Sequence, residues 1–61
     1  MGRAEVLDEL VRKVREGKLD EVESLGFTRI SGNEWEGHGL KIRVWQDHGM
    51  TFMEIRRAQA P

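Results

Sequence analysis

The chain has 61 residues, enough for one domain spanning 1–61 and too few for a second core. A third of the residues are charged, yet the signs nearly cancel to a net charge of −1, so the strongly basic footprint of a nucleic-acid binder is missing. Cysteine is absent, which excludes disulfides, thiolate metal sites and cysteine nucleophiles, and no apolar run approaches the roughly 20 residues that span a bilayer.

A domain this small buries only about 60% of the surface its unfolded chain exposes. Lacking a covalent staple, it must rely on regular packing or on a partner subunit. The missing cysteine and the lack of an apolar signal core at the amino terminus fit a cytoplasmic protein, with no membrane partner expected.

From Arg3 to Glu16, "RAEVLDELVRKVRE" spaces Val6, Leu7, Leu10, Val11 and Val14 as one helical stripe with charges opposite. Asp8 precedes Arg12 by four residues and Glu9 precedes Lys13 by four, the favourable order for ion pairs along a helix. Gly17 follows where a left-handed residue closes a helix. A shorter helix is expected in "LDEVESLGF": Asp20 and Glu23 form a capping-box pattern, Leu19, Val22 and Leu25 an apolar stripe, and Gly26 a second left-handed cap with Phe27 packing back on Val22.

Beyond Phe27 the pattern is strand and turn. Gly32-Asn33 reads as a two-residue hairpin with glycine at the first central position, pairing Ile30 with Trp35 and Arg29 with Glu36. "GHG" punctuates next, because Trp35 points inward on odd numbers whereas Leu40, Ile42 and Val44 do so on even ones. A two-residue turn at His38-Gly39 sets Glu36 against Lys41, Trp35 against Ile42 and Glu34 against Arg43, and each pair is chemically compatible. A four-residue loop, Asp47 to Met50, then pairs Val44 with Met53, Ile42 with Ile55 and Arg43 with Glu54.

The predicted architecture is α+β, with two N-terminal helices packed on one face of an antiparallel four-stranded meander. The inner face carries Ile30–Trp35–Ile42–Ile55 with Val44–Met53 beside it, and residues 58–61 are expected to fray. The alternative is a three-stranded sheet with a long bent middle strand over Glu34–Gln46.

On the outer face this register predicts a row of Arg29, Glu36, Lys41 and Arg56 and a row of Ser31, Glu34, Arg43 and Glu54. Beyond them Trp45 lies across from Phe52, a cross-strand aromatic pair on the wet side. Two large rings flanked by arginine have the composition of an interaction hot spot. Trp45, Phe52, Arg43, Lys41 and Arg56 are therefore the candidate interaction surface, for a second copy of the chain or another protein. The same atoms offer an alternative, RNA or single-stranded nucleic-acid binding by base stacking and phosphate contacts, although Glu34, Glu36 and Glu54 stand in the same rows. A helical stripe too wide for the sheet to cover would leave a second surface free.

No catalytic residue, metal ligand or cofactor emerges. Glu34, Glu36 and His38 alternate like a ligand set, but the glutamates have cationic cross-strand partners and His38 occupies a turn. Asp47-His48 likewise reads as a turn. No phosphate loop, dinucleotide fingerprint or nucleophile elbow occurs. "LGFTRISGN" is similar to the helix-to-hairpin passage of the HicA-type RNA-cleaving toxins, whose fold resembles a double-stranded-RNA-binding domain. That resemblance would imply a histidine after the glycine of the hairpin, but Asn33 stands there, followed by Glu34 and Trp35. The chain is accordingly expected to bind rather than to catalyse.

Overall fold

A computed structural model describes residues 2–58. Helix α1 spans Arg3–Arg15 and buries Val6, Leu10 and Val14. Its end is a Schellman motif: Gly17 adopts φ 74°, its N–H donates to the Val14 carbonyl at 3.1 Å, and the Lys18 N–H donates to the Lys13 carbonyl at 2.9 Å. The second helix, Leu19–Leu25, is a 3₁₀ helix rather than an α-helix. Its flanking bonds, Glu21 N–H to Lys18 and Gly26 N–H to Glu23, span three residues. The expected capping box is not formed. Lys18 holds the N-cap position without a side-chain cap, and Asp20 lies inside the first turn. Gly26 does close the helix left-handed, at φ 100°.

Four strands follow: β1 (Thr28–Ser31), β2 (Glu34–Gly37), β3 (Leu40–Asp47) and β4 (Met50–Arg57), in one antiparallel sheet of order β1-β2-β3-β4. The bent three-stranded alternative is thereby set aside, since the chain breaks pairing at His38-Gly39. Between β2 and β3 the register is the expected one, with Glu34, Trp35 and Glu36 opposite Arg43, Ile42 and Lys41. Between β3 and β4 it also matches, and the pairing runs one pair beyond the expected loop ends Gln46 and Thr51, to Asp47–Met50. The expected four-residue loop is thus a two-residue turn, His48-Gly49, with both φ angles positive at 52° and 77°. Such a turn matches the natural twist of the strands it joins, so pairing persists to its edge.

β1 departs from expectation. Arg29 faces Trp35 and Thr28 faces Glu36, with a bulge between Arg29 and Ser31. The turn explains the shift: neither Gly32 nor Asn33 takes a positive φ, so it lacks the primed geometry. An unprimed two-residue turn splays its strands, and an extra residue restores the pairing. Ile30 is that residue, and at 50% exposure it does not join the inner row.

Val6, Leu10, Val14, Val22, Phe27, Trp35, Leu40, Ile42 and Val44 form one buried cluster. Strand β3 shows the alternation directly, with Leu40, Ile42 and Val44 buried and Lys41, Arg43 and Trp45 exposed. Ile55 shares the inner face with its partner Ile42, yet it is 40% exposed because β4 is an edge strand. Trp35 is fully enclosed, its indole N–H finds no acceptor among the described residues, and the Arg29 guanidinium lies 5.0 Å from its ring centroid. A cation over an indole face both shields the ring and attracts it electrostatically.

The β2–β3 turn is tied to the end of the 3₁₀ helix. His38 Nε2 lies 2.7 Å from the Leu25 carbonyl and donates to it, so the ring carries a proton on Nε2, because a carbonyl only accepts. The His38 ring also meets Phe27 edge-on, centroids 5.1 Å apart. Gly37 makes this approach feasible, since a Cβ there would stand 2.6 Å from the Gly26 carbonyl oxygen. Of the end expected to fray, Ala58 donates its N–H to the Gly39 carbonyl at 2.9 Å, and residues 59–61 lie outside the described ones.

Candidate interaction surface

The outer face is built by the odd residues of β3 and the even residues of β4, whose side chains register fixes on one side. Trp45 sits directly opposite Phe52. Their rings stack, with centroids 5.7 Å apart and planes 18° from parallel, and they remain 40% and 39% exposed. One row nearer the turn Met50 faces Asp47 and is 61% exposed, extending the apolar patch to the tip of the hairpin. Reading the loop as four residues hid Met50 from the sequence. The signal that would have found it is the second His-Gly pair, identical to the turn already accepted at His38-Gly39.

The remaining outer rows are charged. One reads Ser31, Glu34, Arg43, Glu54 as expected, and the other begins with Thr28 where Arg29 was expected, then Glu36, Lys41, Arg56. Arg29 lies opposite Trp35 instead and lends nothing to this face. Glu54 is the hub. Its Oε1 lies 3.9 Å from an Arg43 nitrogen and 3.3 Å from Arg56 Nε. Glu34, Lys41, Arg43, Glu54 and Arg56 line a shallow depression. The structure therefore brings all five predicted residues, Trp45, Phe52, Arg43, Lys41 and Arg56, onto one face, but it divides them. The two rings form an apolar tip, and the two arginines are already engaged by one carboxylate.

The other candidate chemistry is dispersed. Glu34 and Glu36 point outward, whereas His38 turns to Leu25. Asp47 Oδ1 and His48 Nδ1 are 2.8 Å apart at an exposed turn. Among the described residues no three His, Cys, Asp or Glu side chains are grouped to hold a metal ion, and no helix is long and apolar enough to cross a membrane. Comparison with protein-family models, curated proteins and solved structures found no match.

Proposed function

We propose that this chain is a small cytoplasmic binding domain, non-enzymatic, that acts through protein–protein contacts and associates with itself through the outer sheet face. In this reading the two helices form one layer over the buried face of the sheet and leave the opposite face as the working surface. The observation that carries it is the Trp45–Phe52 stack, two large rings packed face to face yet each about two-fifths exposed. A stacked pair has already given up its side-chain freedom, so covering it gains apolar burial at little further entropic cost. Met50 beside it widens the patch, and the charged rows around it supply a polar rim.

The nucleic-acid alternative uses the same rings as stacking platforms. It is the weaker reading because Glu54 lies against both Arg43 and Arg56, and Glu34, Glu36 and Glu54 together offset the charge of Lys41, Arg43 and Arg56 on this face. Sedimentation of the full chain across micromolar to millimolar concentration tests the choice. Trp45→Ser and Phe52→Ser are expected to weaken association about tenfold or more, as hot-spot truncations do. Association indifferent to both, alongside oligonucleotide binding that collapses with salt, would replace this reading with the alternative.

A further inference from the structure

The two edges of the sheet are unlike. β1 is four residues long and bulged, and Arg29 folds back on it to reach the Ser31 and Gly32 carbonyls. Short, bulged edges resist pairing with another chain. β4 is eight residues long, pairs with β3 without a break, and contains neither proline nor glycine. Its outer side meets no strand among the described residues. The hairpin closes on Asp47–Met50, and the Ala58 N–H reaches the Gly39 carbonyl, so the even residues of β4 bond inward to β3. Thr51, Met53, Ile55 and Arg57 accordingly turn their N–H and C=O groups to the open edge.

We infer that this edge pairs antiparallel with the β4 edge of a second copy about a twofold through Ile55, giving one continuous eight-stranded sheet. Charge selects the register. A twofold through Ile55 sets Glu54 opposite the partner's Arg56, and by symmetry Arg56 opposite the partner's Glu54. A twofold through Glu54 would juxtapose two carboxylates, one through Arg56 two guanidiniums, and one through Met53 would leave each Glu54 facing a phenyl ring. Like charges directly opposite are destabilising, and opposite charges favourable. The inner face agrees. Ile55, 40% exposed in the single chain, meets its own counterpart, and Met53 lies against the stem of the partner's Arg57. Charged side chains ordinarily guard an edge; here Glu54 and Arg56, two residues apart on one face, are complementary to their own reversed copy.

This inference goes beyond the outer-face contact and needs neither Trp45 nor Phe52. The test is sedimentation equilibrium of the full chain, whose single-chain mass is 7.1 kDa. Ile55→Pro removes an outward N–H that β3 does not use, a position where an edge strand tolerates proline. It is expected to lose the edge dimer with its far-ultraviolet circular dichroism unchanged. Glu54→Arg and Arg56→Glu are each expected to weaken dimerisation about tenfold or more, and the double exchange to recover most of it. Trp45→Ser is expected to leave the edge dimer in place. A wild-type chain that stays monomeric overturns the inference. So does association that Ile55→Pro leaves unchanged in a Trp45→Ser background, or a double exchange no better than the singles. If Ile55→Pro fails to fold, the charge exchange decides alone. A dimer abolished by Trp45→Ser but indifferent to the charge reversals sinks the edge and keeps the outer face; the converse sinks the outer face and keeps the edge.

Discussion

His38 and His48 adopt one backbone conformation, φ 52° at each, followed by Gly39 at 73° and Gly49 at 77°. The left-handed region is uncommon for a residue with a Cβ, and asparagine accepts it more readily than most. The side chains divide the two sites. The His48 side chain is 91% exposed and, among the described residues, reaches only Asp47, whereas His38 holds the Leu25 carbonyl and the edge of Phe27. His48→Asn is therefore expected to raise stability by about 0.5 kcal/mol through better turn chemistry. His38→Asn satisfies the same turn but releases a carbonyl, and is expected to cost about 1–2 kcal/mol. Opposite shifts in thermal midpoint, about 4–8 °C per kcal/mol in a domain this small, would report the difference. Gly37 obeys a different constraint. A methyl there meets the Gly26 carbonyl oxygen at 2.6 Å and the Phe27 Cα at 2.9 Å, both backbone atoms that cannot swing aside. Gly37→Ala should cost about 1–3 kcal/mol, as overpacking does, while Gly32→Ala, with open space around it, should stay within about 0.5 kcal/mol of wild type. Urea midpoints for the two variants check the contrast.

The elements are held together by few polar contacts, and the clearest joins the helices. Lys13 Nζ donates to Glu21 Oε1 at 2.7 Å, with the Lys13 side chain mostly covered. Hydrogen bonding to Lys13 holds the Glu21 carboxyl below its usual range, and the same bond raises Lys13. Arg12 depresses Glu9 in the same manner along α1. A depressed carboxyl contributes stability that is present above its unfolded value of about 4.3 and is lost as pH falls through the lower folded value. Lys13→Met is expected to flatten the decline in urea midpoint between about pH 5 and pH 3; an unchanged acid limb would deny the pair any role. Sequence spacing alone did not reveal this bond, because it joins two helices rather than two turns of one. The sheet was more legible. The β2–β3 pairs and the β3–β4 pairs Val44–Met53, Ile42–Ile55 and Arg43–Glu54 make chemical sense, although the same register sets Lys41 against Arg56. A slip of one residue puts Glu54 into the core. β1 offered only four residues and a turn without positive φ, and its bulge moved Arg29 from the outer face to Trp35. Alternation reports which face a residue occupies. It does not report the bulge that takes Ile30 out of the inner row, nor the edge position that leaves Ile55 40% exposed.

At the scale of the whole molecule, the two tryptophans are natural reporters, because the fold separates them completely. Trp35 is fully enclosed and Trp45 is two-fifths exposed on the opposite side of the sheet. Iodide, an anion that quenches only indoles it can touch, should therefore see two populations in dilute wild-type protein and one protected population in Trp45→Phe. Concentration then separates the two modes of association. Contact through the outer face covers Trp45, so its accessibility to iodide should fall as the chain is concentrated, in step with the rise in mass. Pairing through the β4 edge keeps the outer face open on both copies, so mass should rise while accessibility stays constant. The stack sharpens the reading. Phe52 already covers one side of the indole, which leaves a single face for quencher or partner, and losing that face should remove most of the remaining quenching. A mass that grows while Trp45 quenching stays flat, in a chain where Ile55→Pro restores the monomer, would place association at the edge and leave the Trp45–Phe52 tip free for a different protein.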